Sequence, residues 1–263
     1  MLCKEIIQVI EQAYPKSCAM QWDNVGLLVG RQEKEVERIY VALDLTDEVL
    51  EDAVEKRADM IVTHHPLIFT GMKKITDEDF IGRRIVKMIQ NDISYYAMHT
   101  NYDVMGMSDL AGECLELIDS HILDITCEEN PVDHTPKGIG KIADLAKPVT
   151  LGEYCEYVKE KFGLSHVKVF GDLNADVRRV AISPGSGKSM IDAAILSGGD
   201  VLVTGDIDHH SGIDAVAKGL SIIDAGHYGI EHIFIRDLAG YLRSNIHNIE
   251  IIETEEHHPF RIV

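Results

Sequence analysis

The chain has 263 residues, 45% hydrophobic and 26% charged, with mean hydropathy −0.03. It is long enough to bury a large core, and its composition excludes a disordered or collagen-like chain. Forty-four acids against 25 bases leave a formal charge of −19, which disfavours nucleic acid as a general partner.

Residues 2–14 carry Leu2, Ile6, Val9, Ile10 and Tyr14 at helical spacing and predict an amphipathic helix. A strand over 38–43 ends in Asp44, and Thr46 is placed to cap a helix through Lys56, with acids early and bases late as the helix dipole prefers. A buried strand over 60–63, a helix at about 78–90, a strand over 93–98 and a helix at about 107–117 complete the first half. In the second half a strand over 179–182 leads through a turn at Gly185 and Gly187 into a helix ending near Leu196. A strand over 201–204, a helix near 211–218, a strand over 220–223, a helix through about Leu242 and a strand over 249–253 follow.

No apolar run approaches the ~18 residues of a spanning helix, and Met1-Leu2-Cys3-Lys4-Glu5 is unlike a signal peptide, so a cytoplasmic protein without a membrane partner is expected. The five cysteines never fall as C-x-x-C, which fits reduced, mostly buried thiols. Strands alternating with helices imply an α/β fold with mostly parallel sheets covered on both faces. Arg38…Asp59-Met60-Ile61-Val62-Thr63 and Arg179…Asp200-Val201-Leu202-Val203-Thr204 look like a diverged internal duplication, the first ending in His-His and the second in Gly-Asp. With Glu128-Glu129-Asn130-Pro131 and Gly138-Ile139-Gly140 as the boundary, two related α/β lobes are expected at 1–127 and 128–263.

Ligands of open α/β sheets bind beyond the carboxyl ends of the strands. His64 and His65 directly follow the second strand, and His99 and Asp103 follow the third. His227 and Glu231, four apart where a helix opens, can share one helical face. Imidazoles and carboxylates in this mixture suit zinc, manganese, iron or cobalt, and they outnumber the ligands of one tetrahedral structural zinc. Carboxylates able to bridge suggest two ions about 3.5–4 Å apart that activate water.

Other signals have plainer readings. Ser183-Pro184-Gly185-Ser186-Gly187-Lys188-Ser189 sits between strand and helix as a phosphate loop does, but Ile182 stands where the motif's first glycine belongs. A tight turn is the simpler reading, with a weaker anion site at Lys188 as the alternative. Trp22-Asp23-Asn24 reads as a structural turn, with cleft lining as the alternative, and His257-His258-Pro259 reads as a solvated tail.

Six motifs occur in order: Gln21-Trp22-Asp23-Asn24-Val25-Gly26-Leu27, Thr63-His64-His65-Pro66-Leu67, His99-Thr100-Asn101-Tyr102-Asp103, Gly185-Ser186-Gly187, Thr204-Gly205-Asp206 and Gly226-His227-Tyr228…Glu231. Together they resemble the GTP cyclohydrolase I type 2-like family, also called Nif three-like, over essentially the whole chain. The resemblance implies two α/β lobes facing a cleft with a dinuclear metal centre, ligated by His64, His65, Asp103, His227 and Glu231. It also implies a ring-shaped homohexamer, and the chain has the compact form without the module that many members insert between the lobes. Ile230 and Lys188 depart from the small residues common at those positions, which bears on what the cleft accepts.

The expected activity is metal-dependent hydrolysis of a phosphorylated or nucleotide-like small molecule. His99 or His210, which aligns with a histidine of the family, would handle protons, and Lys188 would hold a substrate phosphate. Activities assigned across the family are uneven, so GTP is not fixed as the substrate. The competing expectation is a non-catalytic metal-binding or regulatory assembly.

Overall fold

A computed structural model describes residues 1–255 and 258–263; His257 of the expected tail lies outside the described residues. Among the described residues eleven strands are formed in chain order: β1 (Gly26–Val29), β2 (Arg38–Ala42), β3 (Met60–Thr63), β4 (Ser94–Ala97), β5 (His121–Cys127), β6 (Lys137–Thr150), β7 (Lys168–Phe170), β8 (Asp176–Ser186), β9 (Val201–Gly205), β10 (Ser221–Asp224) and β11 (Glu250–Glu253). The chain divides into two compact units, one holding Met1–Tyr102 and the segment returning from Phe234, the other Asp103–Ile233 and the C-terminal tail. Two of the passages between units run along helical segments, at His99–Tyr102 into Asp103–Met107 and at His227–Glu231 into Ile233–Asn245.

The first unit carries a five-stranded sheet in the order β1-β4-β3-β2-β11. The pairs β11–β2, β2–β3 and β3–β4 are parallel, and β1 is an antiparallel edge. Period-two alternation explains why its strands read as unbroken apolar runs. Tyr40, Ala42, Ile61, Tyr95 and Ala97 join one buried cluster, while their neighbours Ile39, Val41, Met60, Val62 and Tyr96 are equally buried. Helix Asp47–Glu55 opens as expected at Thr46, whose hydroxyl accepts from the Val49 amide, and Asp79 caps helix Phe80–Gln90 in the same way.

The second unit has six strands in the order β5-β6-β8-β9-β10-β7. Only β8–β9 and β9–β10 are parallel; β5–β6, β6–β8 and β7–β10 are antiparallel. This sheet is therefore mixed, unlike the mostly parallel one expected. Val180, Ile182, Val201, Val203 and Ile223 face one core cluster, and Ala181, Leu202, Leu220 and Ile222 face another. Each fully buried side chain of this size contributes about 1.5–3 kcal/mol.

The division also differs from the one read near residue 128. Residues 128–136 are the hairpin loop between β5 and β6, and Gly138 and Gly140 belong to β6. A Cβ on Gly138 would lie 2.0 Å from the Asp124 carbonyl oxygen, so this glycine serves close strand approach rather than a linker.

The two segments that look alike in sequence make matching contacts where their strands begin. Asp59 accepts backbone N–H bonds from Glu37 and Arg38 at 2.9 and 3.0 Å, and Asp200 accepts from Arg178 and Arg179 at 2.8 and 2.9 Å. The Asp59 and Asp200 amides in turn donate to the Arg38 and Arg179 carbonyls. β2–β3–β4 and β8–β9–β10 thus share register and strand-entry chemistry, and their carboxyl ends are the equivalent edges of the two units.

Candidate metal centre

In the first unit, three histidines leave the carboxyl ends of adjacent parallel strands. His64 and His65 prolong β3, their amides donating to the Ala42 and Leu43 carbonyls, and the His99 amide beyond β4 donates to the His64 carbonyl at 2.9 Å. Main-chain bonding therefore fixes all three positions. The rings of His64 and His65 are 4.8 Å apart, and the His99 ring lies 5.5 and 5.7 Å from them. His64 is fully buried.

Two of these rings are oriented by carboxylates. His65 Nδ1 is 2.8 Å from Asp44 Oδ1, and His99 Nδ1 is 2.8 Å from Asp23 Oδ1. An ionised carboxylate only accepts, so each Nδ1 carries the proton and each Nε2 is left to a ligand or proton. Burial by itself would raise the Asp23 pKa, but donation from His99 and Thr100 overrides it and lowers it to about 2. His99 adopts φ 31, a left-handed conformation uncommon outside glycine, at the point where it meets Asp23.

The second unit repeats the device. His227 opens helix His227–Glu231 just beyond β10, with Nδ1 2.7 Å from Asp206 Oδ2 and Nε2 3.0 Å from Glu231 Oε2. Glu231 is 3% exposed. A neutral ring with its proton on Nδ1 would aim a lone pair at a buried carboxylate, an arrangement that calls for a cation or a second ring proton. The donor chemistry thus fits a divalent metal. Gly185 makes room for the Glu231 carboxylate: at φ +72, a Cβ there would lie 2.4 Å from Glu231 Oε1. Asp103, half-buried, begins the π-helical segment Asp103–Met107.

The family model of Duf34/NIF3 (NGG1p interacting factor 3) matches residues 1–259. The chain belongs to the Duf34/NIF3 family. It is 38% identical over 233 residues to a Clostridium perfringens protein named GTP cyclohydrolase 1 type 2 homolog, covering 88% of this chain and 87% of that one. A protein of the same name from Clostridium acetobutylicum is 35% identical over 250 residues, with 94% and 92% covered. The crystal structure of a Bacillus cereus protein related to NIF3 superposes with a TM-score of 0.90 at 27% identity, covering 100% of this chain and 99% of the other.

The remaining expected site residues of this Duf34/NIF3 protein, Lys188 and His210, belong to the second unit. Gly185 lies within β8, which runs through Ser186 and passes directly into a 3-10 turn, Gly187–Met190. Lys188 pairs at 2.8 Å with Asp208, whose carboxyl is held well below its usual range by that ammonium and by Ser211. His210 is exposed on helix His209–Ala217, its ring 5.2 Å from that of His209. Sequence reasoning missed the carboxylates Asp23, Asp44 and Asp206. The usable signal was an aspartate just past a strand's end, two residues beyond β2 at 44 and directly after β9 at 206.

Proposed function

We propose that this protein is a metal-dependent hydrolase of phosphorylated or nucleotide-like small molecules. In this reading His64, His65, Asp103, His227 and Glu231 hold two divalent ions. His64, His65 and Glu231 supply donors that can hold a metal ion. The observation that carries the reading is the His227–Glu231 pair, two Lewis-basic groups 3.0 Å apart with the imidazole oriented by Asp206. The relatives' shared name, GTP cyclohydrolase 1 type 2 homolog, supports a hydrolytic role acting on nucleotide-like compounds.

Bound divalent ions supply water activation at neutral pH and stabilisation of developing negative charge. The chain's own groups do the rest. Asp44 and Asp206 hold His65 and His227 in the tautomer that presents Nε2. Asp23 leaves His99 with an accepting Nε2, as a general base requires. His210 is the alternative proton-handling group, and Lys188, released from Asp208, would hold a substrate phosphate. Six copies are proposed to assemble into a ring, which light scattering tests directly: a mass near six chains supports it, and a monomer at micromolar concentration removes it.

The decisive experiment combines metal analysis with a substrate panel of phosphoesters and purine nucleotides, scored for released phosphate and opened ring. About two ions per chain and metal-dependent turnover, both lost in His64→Ala, are expected. A metal-loaded wild type without turnover on any compound would overturn the hydrolase reading in favour of metal storage or docking.

A further inference from the structure

The loop Gln21–Asn24 and the segment after His65 each place a large aromatic ring in solvent beside His99. Trp22 is 67% exposed and Phe69 is 53% exposed. Their centroids lie 5.9 and 5.6 Å from the His99 ring, at interplanar angles of 74° and 83°, so both meet the same imidazole edge to face. An exposed tryptophan forfeits a large burial gain, and two exposed aromatics around one polar ring are not the scattered apolar surface common to globular proteins.

Neither ring sits on slack backbone. The Asn24 side-chain amide donates to the Ile68 carbonyl, tying the Trp22 loop to the residue before Phe69. Asp23 accepts from the Thr100 amide and hydroxyl and from His99, and the Met20 amide donates to the Thr100 hydroxyl. The loop is thus fastened on both sides of Trp22, which preorganises the ring without burying it.

We propose that Trp22 and Phe69 form a stacking subsite for a planar heteroaromatic ring, of nucleobase type, whose attached group reaches the histidines at the ends of β3 and β4. π-Faces on both rings accept any base, and the neighbouring His99 adds an edge with an accepting Nε2. The proposal deepens the hydrolase reading and rests on it only for what the attached group undergoes.

Trp22 is the sole tryptophan of the chain, so its fluorescence reports the subsite directly. Metal-loaded protein is titrated with the four common nucleoside monophosphates and with ribose 5-phosphate as the ring-less control. Saturable quenching by at least one nucleotide and none by ribose 5-phosphate is expected. Phe69→Ala should weaken that nucleotide roughly 5- to 100-fold, and Trp22→Ala should do the same by calorimetry, with circular dichroism unchanged. Equal response to ribose 5-phosphate, undiminished affinity in both variants, or no response to any nucleotide overturns the proposal. A Trp22 signal that changes with protein concentration alone assigns the rings to contact with a second copy and overturns it as well. Turnover of a ring-less phosphoester with no nucleotide binding would sink the subsite and leave the hydrolase; stacking without metal-dependent turnover would do the reverse.

Discussion

His227 turns its Nδ1–H onto Asp206 at 2.7 Å, and this leaves Nε2 as the one lone pair the ring can offer. His65 and Asp44 stand in the same relation at 2.8 Å. Removing either carboxylate frees the ring to rotate and to adopt the other tautomer. Asp206→Ala and Asp44→Ala should each weaken metal binding by about 10- to 100-fold without unfolding the protein. Competition against a chromophoric chelator measures this, and unchanged affinity in both variants would remove the orienting role.

Gly185 approaches Glu231 too closely for any side chain, and its φ of +72 independently disfavours one. Gly185→Ala should displace the Glu231 carboxylate, lower the metal content per chain and reduce thermal stability. Elemental analysis of the purified variant beside wild type decides it. Full metal content would show that the carboxylate tolerates the shift.

Asp59 and Asp200 each satisfy two main-chain N–H groups at the start of a central strand. Their replacement by alanine leaves those donors to find water and should cost about 1–3 kcal/mol in each case. Hydrogen exchange localises the effect: amides around Arg38 should lose protection in Asp59→Ala, and those around Arg179 in Asp200→Ala. Loss spread evenly over both sheets would argue against the equivalence of the two positions.

Asp23 titrates at about 2 in the folded chain against an ordinary 3.8. A depressed folded pKa means the folded state favours the ionised form. Its stabilising contribution is complete above about pH 4 and is lost as pH falls toward 2. Asp23→Asn should therefore be less stable than wild type at pH 6, with the gap closing on acidification. Urea midpoints of the metal-free proteins at pH 6, 4 and 3 give the test; a constant gap would contradict the shift.

The central elements were legible because burial on both faces writes β3 and β9 as Met60-Ile61-Val62-Thr63 and Val201-Leu202-Val203-Thr204, with no polar interruption. Helix starts were legible where a side-chain oxygen caps them, as at Thr46. The edge strands β1, β5 and β7 escaped notice because partly exposed residues break the apolar pattern, and Gly138 and Gly140 made β6 look like a linker. His64, His65, His227 and Glu231 stood out by residue type and position. Their carboxylate partners did not, because the pairings Asp44–His65, Asp23–His99 and Asp206–His227 span 21, 76 and 21 residues. Only the folded strand order converts such separations into contact.

β11 completes the edge of the first sheet by pairing with β2, though more than 200 residues separate them. At ribosomal rates of about 5–20 residues per second, β2 waits roughly ten to forty seconds for that partner to be synthesised. During that interval its outer row of amides and carbonyls is an open template for another strand. The whole of Asp103–Ile233 emerges inside the same interval and has every strand of its own sheet available. The order of maturation on the ribosome thus runs against the order of the sequence: the inserted unit can finish first, and the N-terminal one closes last.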